Sequence, residues 1–186
     1  MSDLVTKLFA IHDALSAAGL AHAFGGAIAL AYCTEEPRGT RDLDLNIFTD
    51  SSRARTALGA LPEGVSVSKA DIAAVLREGQ TRLWWGDTPI DVFLNNHPFH
   101  DSVAGGVTWV PLERREIPVL DCSSLVVFKA LFNRTRDWAD IEAVAERTPA
   151  ALDNAAIAIS EMLGPDDPIH RRLVSLYAAA NTGRGT

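Results

Sequence analysis

Three aspartates and a pair of glycines are the residues of this chain best suited to chemistry. Gly25 and Gly26 stand where a short apolar run meets a helical pattern, so bare backbone could approach a phosphate there. Asp42 and Asp44 are two residues apart and point to one face if their segment is a strand. Asp91 lies in another short apolar run. A phosphate-binding glycine pair and three acids able to bind magnesium predict phosphoryl chemistry.

Each of these signals also has an ordinary structural explanation. Paired glycines are usually turns, and no Gly-Lys-Ser/Thr follows this pair, so it is not a Walker loop. Asp42 and Asp44 could be solvated on an exposed strand face, and Asp91 could be a charge that protects a sheet edge from aggregation. The occurrence of all these residues in one order favours the functional interpretation.

The elements that must position these residues are read from hydrophobic periodicity. Apolar residues at helical spacing predict a helix over residues 4–18, and a short strand over 20–24 leads into the glycine pair. A compact helix over 27–33 is expected next. From residue 43 to 48, acids or amides alternate with apolar residues, which is typical of a half-buried strand.

A hairpin is expected to carry Asp91. Gly86-Asp87 separates two apolar runs, 81–85 and 89–94, and a two-residue turn of this type joins antiparallel strands. A second hairpin is predicted over 107–120, and helices follow from residue 121.

These elements predict an α+β fold in three parts. We expect a core over residues 1–120, a C-terminal helical unit over 121–180 and a flexible tail over 181–186.

Composition narrows the classes of function. The 186 residues are 47% hydrophobic and carry a formal charge of −7, which opposes a large nucleic-acid footprint but not the binding of one RNA end by a local arginine patch. The sequence has no long apolar run and no signal peptide, so we expect a cytoplasmic protein that does not enter a membrane. Cys33 and Cys122 lack metal-ligand spacing and are expected to be buried and reduced, which fits that location.

The candidate residues also carry a resemblance to a known superfamily. The chain resembles the nucleotidyltransferases of the DNA polymerase β superfamily in three motifs: Phe24-Gly25-Gly26-Ala27, Arg38-x-Thr40-x-Asp42-Leu43-Asp44-Leu45 and Ile90-Asp91-Val92. It is most similar to small bacterial members, namely AbiEii-like and MenT-like toxins and the lincosamide and aminoglycoside adenylyltransferases. A later segment with Lys129, Arg134 and Asp137 looks like the helical extension of that group.

The resemblance implies a fold, a reaction and a set of roles. The fold would be a polymerase-β-like mixed sheet with flanking helices, followed by a C-terminal helical unit. The protein would move a nucleoside monophosphate from an NTP, such as ATP, to an acceptor hydroxyl and release pyrophosphate. Asp42 and Asp44 would bind Mg²⁺ or Mn²⁺, and Asp91 would align the acceptor as a metal ligand or base. The nucleotide would be held by five residues: Gly25, Gly26, Arg38, Thr40 and Lys129.

Several alternatives stay open at this stage. The acceptor could be a tRNA 3′ end, a small molecule such as an antibiotic, or a protein side chain. The toxin-like motifs extend the prediction to a toxin paired with an antitoxin. A non-catalytic nucleotide-binding or antitoxin-like partner protein with the same fold is the competing hypothesis. Lys129 could merely snorkel from a buried helix face, and only the family pattern favours nucleotide binding there. Arg134 could equally well have the structural role of pairing with Asp137.

Overall fold

Residues 3–182 are described by the computed structural model of this protein, and they form two compact units. The first unit combines the described part of Met1–Ile28 with Gly39–Leu120. The second combines Ala29–Arg38 with the described part of Asp121–Thr186. The segment Ala29–Arg38 thus groups with the helical part of the chain, although the sequence analysis assigned it to the core.

The first unit is built on a mixed sheet. Its strands are β1 (His22–Phe24), β2 (Leu43–Asp50), β3 (Gln80–Trp85), β4 (Thr88–Asn95), β5 (Thr108–Leu112) and β6 (Arg115–Val119). Within the described residues these six strands have the order β3-β4-β2-β1-β6-β5. β2 runs parallel to β4 and antiparallel to β1, whereas β3–β4 and β5–β6 are antiparallel hairpins. Both predicted hairpins are therefore present.

The helices of the first unit precede the strands or lie between them along the chain. They are α1 (Asp3–Ala17), the start of α2 (Gly26–Thr34), α3 (Ala54–Gly59), α4 (Lys69–Glu78) and α5 (Pro98–Gly105). The core lies on the apolar face of β2 and β4, where Leu43, Leu45, Ile90 and Val92 are fully buried. Because side chains alternate along a strand, this burial turns the residues between them to the opposite face.

The second unit is helical. It contains the rest of α2 and the helices α6 (Cys122–Phe132), α7 (Thr135–Arg147), α8 (Pro149–Leu163) and α9 (Pro168–Thr182). Asn181 and Thr182 were expected in a flexible tail, but they belong to α9. The rest of that expected tail, residues 183–186, lies outside the described residues.

The two cysteines form a disulfide, so the expectation that both are reduced is wrong. Cys33 lies near the end of α2, Cys122 opens α6, and their Cα atoms are 5.5 Å apart. They are separated by 89 residues, and only tertiary packing could show that they meet. The expected cytoplasmic location rested partly on free thiols, and that support is removed because disulfides are rare in the cytosol.

A separate expectation concerned membranes. None of the helices within residues 3–182 combines the length and apolar character that a membrane crossing requires.

Candidate active site

The glycine pair packs directly against β2. The N–H of Gly25 donates to the carbonyl oxygen of Asp44 at 2.8 Å, which ties the start of α2 to the strand. Gly26 has a φ of +52°, and a Cβ at this position would lie 1.8 Å from Oδ2 of Asp44. A Cβ on Gly25 would meet Nδ2 of Asn46 at 3.3 Å. Glycine is therefore required at Gly26 both by backbone conformation and by the space that Asp44 occupies.

Two of the three candidate acids are neighbours across the sheet. Asp44 on β2 is in register with Asp91 on the parallel strand β4. Both side chains are half-buried, and they stand on the face opposite to the buried Leu43 and Leu45. Two like charges side by side repel each other, so this arrangement needs a positive partner to be stable.

Asp42 precedes β2 by one residue and is held by a local hydrogen bond. The hydroxyl of Thr40 donates to Oδ1 of Asp42 at 2.5 Å. The same hydroxyl oxygen lies 3.4 Å from the backbone nitrogen of Asp42, which donates to it. The nucleotide-binding role of Thr40 stays a prediction, and these hydrogen bonds hold Thr40 against Asp42.

Arg82 is the positive partner of the acids, and the sequence analysis missed it. Its Nε donates to Oδ1 of Asp91 at 2.7 Å, and its second guanidinium nitrogen donates to Oδ2 at 2.6 Å. The hydrogen bonds and charge of Asp91 raise the pKa of Arg82, and the charges of Asp42 and Asp44 raise it further. The guanidinium therefore lies in the field of all three carboxylates.

The signal that would have found Arg82 was already in the hairpin. A two-residue turn at Gly86-Asp87 fixes the register of β3 and β4, and this register sets Arg82 opposite Asp91.

The carboxylates have the right chemistry for a divalent metal, but their arrangement does not yet fit one. Oxygen ligands suit Mg²⁺, and the acids already attract one cationic group. However, in the described part of the chain no group of three or more His, Cys, Asp or Glu side chains is arranged to hold a metal ion. Both oxygens of Asp91 are engaged by Arg82. The site with three metal ligands stays a prediction.

Arg38 and Lys129, which the resemblance implied as nucleotide ligands, meet at one carboxylate of the second unit. Lys129 is only 8% exposed, and its Nζ lies 2.6 Å from Oδ2 of Asp140. Arg38 donates to both oxygens of Asp140, at 2.6 and 3.1 Å. The nucleotide-binding roles of Lys129 and Arg38 stay predictions, and the structure gives both a structural partner that the sequence analysis had not assigned.

A second buried carboxylate continues this charge network. Arg134 donates to both oxygens of Asp137, at 2.5 and 3.0 Å, so these residues pair as the structural alternative predicted. Burial alone would raise the pKa of Asp137, but the hydrogen bonds and charge of Arg134 outweigh it and lower that pKa. Asp137 is thus held as an anion inside the helical unit.

Comparison with known proteins gives structural matches only. No protein-family model matches this sequence, and no curated protein matches it significantly. A solution structure of the antibiotic-resistance factor ANT(2'')-Ia is similar, with a TM-score of 0.60 and 14% identity, over 97% of this chain and 96% of that one. A crystal structure of ANT(2'')-Ia in complex with adenylyl-2''-tobramycin gives a TM-score of 0.55 at 14% identity, over 98% of this chain and 99% of that one.

A third similar structure is that of a protein from Paracoccidioides brasiliensis. An antigenic nucleotidyltransferase-like protein from Paracoccidioides brasiliensis matches with a TM-score of 0.52 and 16% identity, over 96% of this chain and 94% of that one. At these identities the similarity is one of fold. It extends over nearly the whole length of this chain and of each compared chain. This chain therefore has the α+β fold of the nucleotidyltransferases, which confirms the fold predicted from its sequence.

Proposed function

We propose that this protein is a nucleotidyltransferase that moves a nucleoside monophosphate from an NTP to an acceptor hydroxyl. The packing of Asp44 against Gly26, with Asp91 beside it in register, carries this proposal. It sets the carboxylate of Asp44 against the start of α2, with that of Asp91 on the neighbouring strand. Helix N-termini bind phosphate, and carboxylates bind the cations that accompany nucleotides. The confirmed fold supports the same conclusion.

The proposed reaction is an in-line displacement at phosphorus. The acceptor oxygen forms a bond to the α-phosphorus, the bond from that phosphorus to the bridging oxygen breaks, and pyrophosphate leaves with the electron pair. The proton of the acceptor hydroxyl passes to Asp91 as general base. Gly26 leaves room for the carboxylate of Asp44 at the start of α2, and Thr40 keeps Asp42 oriented.

Dependence on Mg²⁺ or Mn²⁺ is part of the proposal. Asp42, Asp44 and Asp91 would hold the metal once Asp91 is released from Arg82. A bound divalent ion would supply charge stabilisation for the oxygens of the reacting phosphate.

A small hydroxylated molecule is the acceptor that we propose. The complex of the structurally similar ANT(2'')-Ia with adenylyl-2''-tobramycin supports this class. The net charge of −7 and the acids on one sheet face disfavour a polyanionic acceptor such as tRNA. The indole of Trp84, 48% exposed on the strand that carries Arg82, offers an apolar surface for a ring. A role as a toxin with an antitoxin partner stays a prediction from the resemblance.

The test is label transfer from each α-³²P-labelled NTP in the presence of Mg²⁺ or Mn²⁺. Acceptor arms would contain an aminoglycoside and lincosamide panel, tRNA, or the protein alone. We expect label on a small-molecule acceptor, and its loss in Asp42→Asn and Asp44→Asn. Asp87→Asn is the matched control, because Asp87 is a 99% exposed carboxylate in the β3–β4 turn. NTP binding without transfer in any arm would instead support the non-catalytic hypothesis.

A further inference from the structure

Arg82 engages Asp91, which the proposed reaction needs both as a metal ligand and as the general base. The fork of its guanidinium matches the carboxylate of Asp91, with hydrogen bonds of 2.7 and 2.6 Å to the two oxygens. Asp91 is 23% exposed and Arg82 is 53% exposed at the side chain, so the pair stands at the rim of the acidic face. While this pair exists, neither oxygen of Asp91 is available without competition from the guanidinium.

The register of the sheet explains why Arg82 reaches this position. Asp44, Asp91 and Arg82 are successive partners across β2, β4 and β3, so their side chains form one row on one sheet face. The guanidinium compensates the repulsion between the two carboxylates of this row. A divalent cation between the carboxylates would do the same, and the two cations would therefore compete for Asp91.

We propose that Arg82 is an internal counter-ion of Asp91 that a divalent metal must displace before Asp91 can join the metal site. The inference rests on the proposed function, which requires Asp91 to join Asp42 and Asp44 at the metal although Arg82 engages both of its oxygens. It assigns to Arg82 a positioning role: the residue compensates the charge of Asp91 without metal and lowers the apparent affinity for metal.

The exposure of the pair makes such an exchange feasible. Solvent-exposed ion pairs contribute little to stability, so the salt bridge can be replaced without disturbing the sheet. The backbone pairing of β3 with β4 does not depend on the two side chains. Loss of the salt bridge therefore changes the metal site and leaves the fold intact.

Metal binding alone tests this inference, with no nucleotide or acceptor present. Free Mn²⁺ would be measured by electron paramagnetic resonance during titration of the full-length protein and its variants. We expect Arg82→Gln to lower the Kd for Mn²⁺ about three- to tenfold, because a competing cation is removed. Arg82→Lys should give a smaller decrease, since an ammonium keeps the charge but cannot engage both oxygens in a fork. Thermal unfolding would verify that each variant is folded.

Two controls separate competition for Asp91 from a general charge effect. Arg41 is exposed beside Asp42, and it makes no salt bridge among residues 3–182, so Arg41→Gln removes a nearby charge without freeing a ligand. It should change the Kd less than twofold. In an Asp91→Asn background, adding Arg82→Gln should produce no further tightening, because the contested carboxylate is gone.

Several results would overturn the inference. Equal Mn²⁺ affinity in the parent and Arg82→Gln is one, and equal tightening by Arg41→Gln is another. Tightening that persists with Asp91→Asn, or no Mn²⁺ binding by any variant, would also refute it. Failure of the parent protein to transfer label, with this affinity pattern intact, would remove the proposed function and leave the counter-ion role standing.

Discussion

The carboxylate of Asp44 fills the space in which a side chain on Gly26 would have to begin. Oδ2 of Asp44 lies 1.8 Å from the position of a Cβ on Gly26. The conformation of Gly26 and the position of the Asp44 carboxylate thus depend on each other, although the two residues are 18 positions apart in sequence. Any residue other than glycine must move the carboxylate, the helix start, or both.

Gly26→Ala is therefore expected to reduce nucleotidyl transfer strongly. Displacing a positioned group by about 1 Å costs on the order of 100-fold in rate, and the methyl group requires at least that displacement of Asp44. The left-handed backbone adds strain of about 1 kcal/mol. Transfer rate and the free energy of unfolding would both be measured.

Gly39→Ala is the matched control for this prediction. A Cβ on Gly39 would meet no atom within 4 Å, so we expect little change in rate. Full activity of Gly26→Ala would show that the position of Asp44 does not matter to the reaction.

The disulfide predicts a redox-dependent stability. Closing a loop of this length contributes about 4 to 5 kcal/mol by restricting the unfolded chain. Cys33→Ser combined with Cys122→Ser should therefore lower the free energy of unfolding by a comparable amount. A reducing agent should lower the melting temperature of the parent and leave that of the double variant unchanged. Equal melting temperatures of the parent with and without the reductant would contradict the prediction.

Two buried histidines predict a loss of stability at mildly acidic pH. Nδ1 of His12 lies 2.9 Å from Nε2 of His22, and Nδ1 of His22 lies 2.9 Å from the carbonyl oxygen of Leu20. A hydrogen bond to that carbonyl makes Nδ1 of His22 a donor, so its Nε2 accepts from His12. Adding a proton at Nε2 of His22 would break this chain.

Burial is the largest influence on both groups, and it lowers the pKa of His12 and of His22. The Asp13 carboxylate partly opposes this shift at His12, and Arg115 adds to it. Below the ordinary histidine pKa of about 6.5, the unfolded chain binds protons that the folded chain does not. The free energy of unfolding should therefore fall as pH decreases from 7.5 through 6.5 to 5.5.

Urea titrations at these pH values would measure the effect. His22→Gln should weaken the pH dependence, while His170→Gln, at a half-buried position of α9, should keep it. A pH dependence that His22→Gln leaves unchanged would assign the effect to other groups.

Asp140→Asn is expected to destabilise the helical unit. Asp140 is 5% exposed and pairs with the buried ammonium of Lys129, which would then lose its close anionic partner. Breaking a buried ion pair from one side costs about 3 to 5 kcal/mol. Glu142→Gln on the same helix is the control, because Glu142 is exposed and its nearest guanidinium nitrogen, from Arg172, is 3.8 Å away. Denaturant unfolding should show a change of less than about 0.5 kcal/mol there, and equal effects of both variants would refute the prediction.

Trp84→Ala should weaken binding of the acceptor and leave binding of the nucleotide unchanged. Trp84 and Arg82 are two residues apart on β3, so both side chains share the face of the candidate site. Loss of an aromatic stacking surface should raise the acceptor KM about fivefold or more, with the NTP Kd unchanged. Trp109→Ala is the control, since Trp109 is 57% exposed on β5, the opposite edge strand. Identical acceptor KM values in both variants would exclude Trp84 as a stacking surface for the acceptor.

The sequence predicted those parts of the site that depend on local pattern. The alternation around Asp44 identified β2, and the turn at Gly86-Asp87 identified the hairpin that carries Asp91. Which strands become neighbours depends on tertiary packing, so the register of Asp44 with Asp91 was not predictable. Arg82 on β3 has no distinguishing local pattern, and its role follows only from its partner Asp91 across the hairpin.

The second unit shows a different limit. Lys129 was assigned to phosphate by resemblance, but its partner Asp140 depends on how α6 and α7 pack. The bond between Cys33 and Cys122 depends on packing in the same way, because no local spacing brings α2 to the start of α6.

The disulfide also changes how the chain would respond to cleavage. The whole segment Gly39–Leu120 lies between Cys33 and Cys122 in sequence. The disulfide therefore closes this part of the chain into a covalent loop. A protease that cuts any single bond inside this loop produces two chains that remain one molecule.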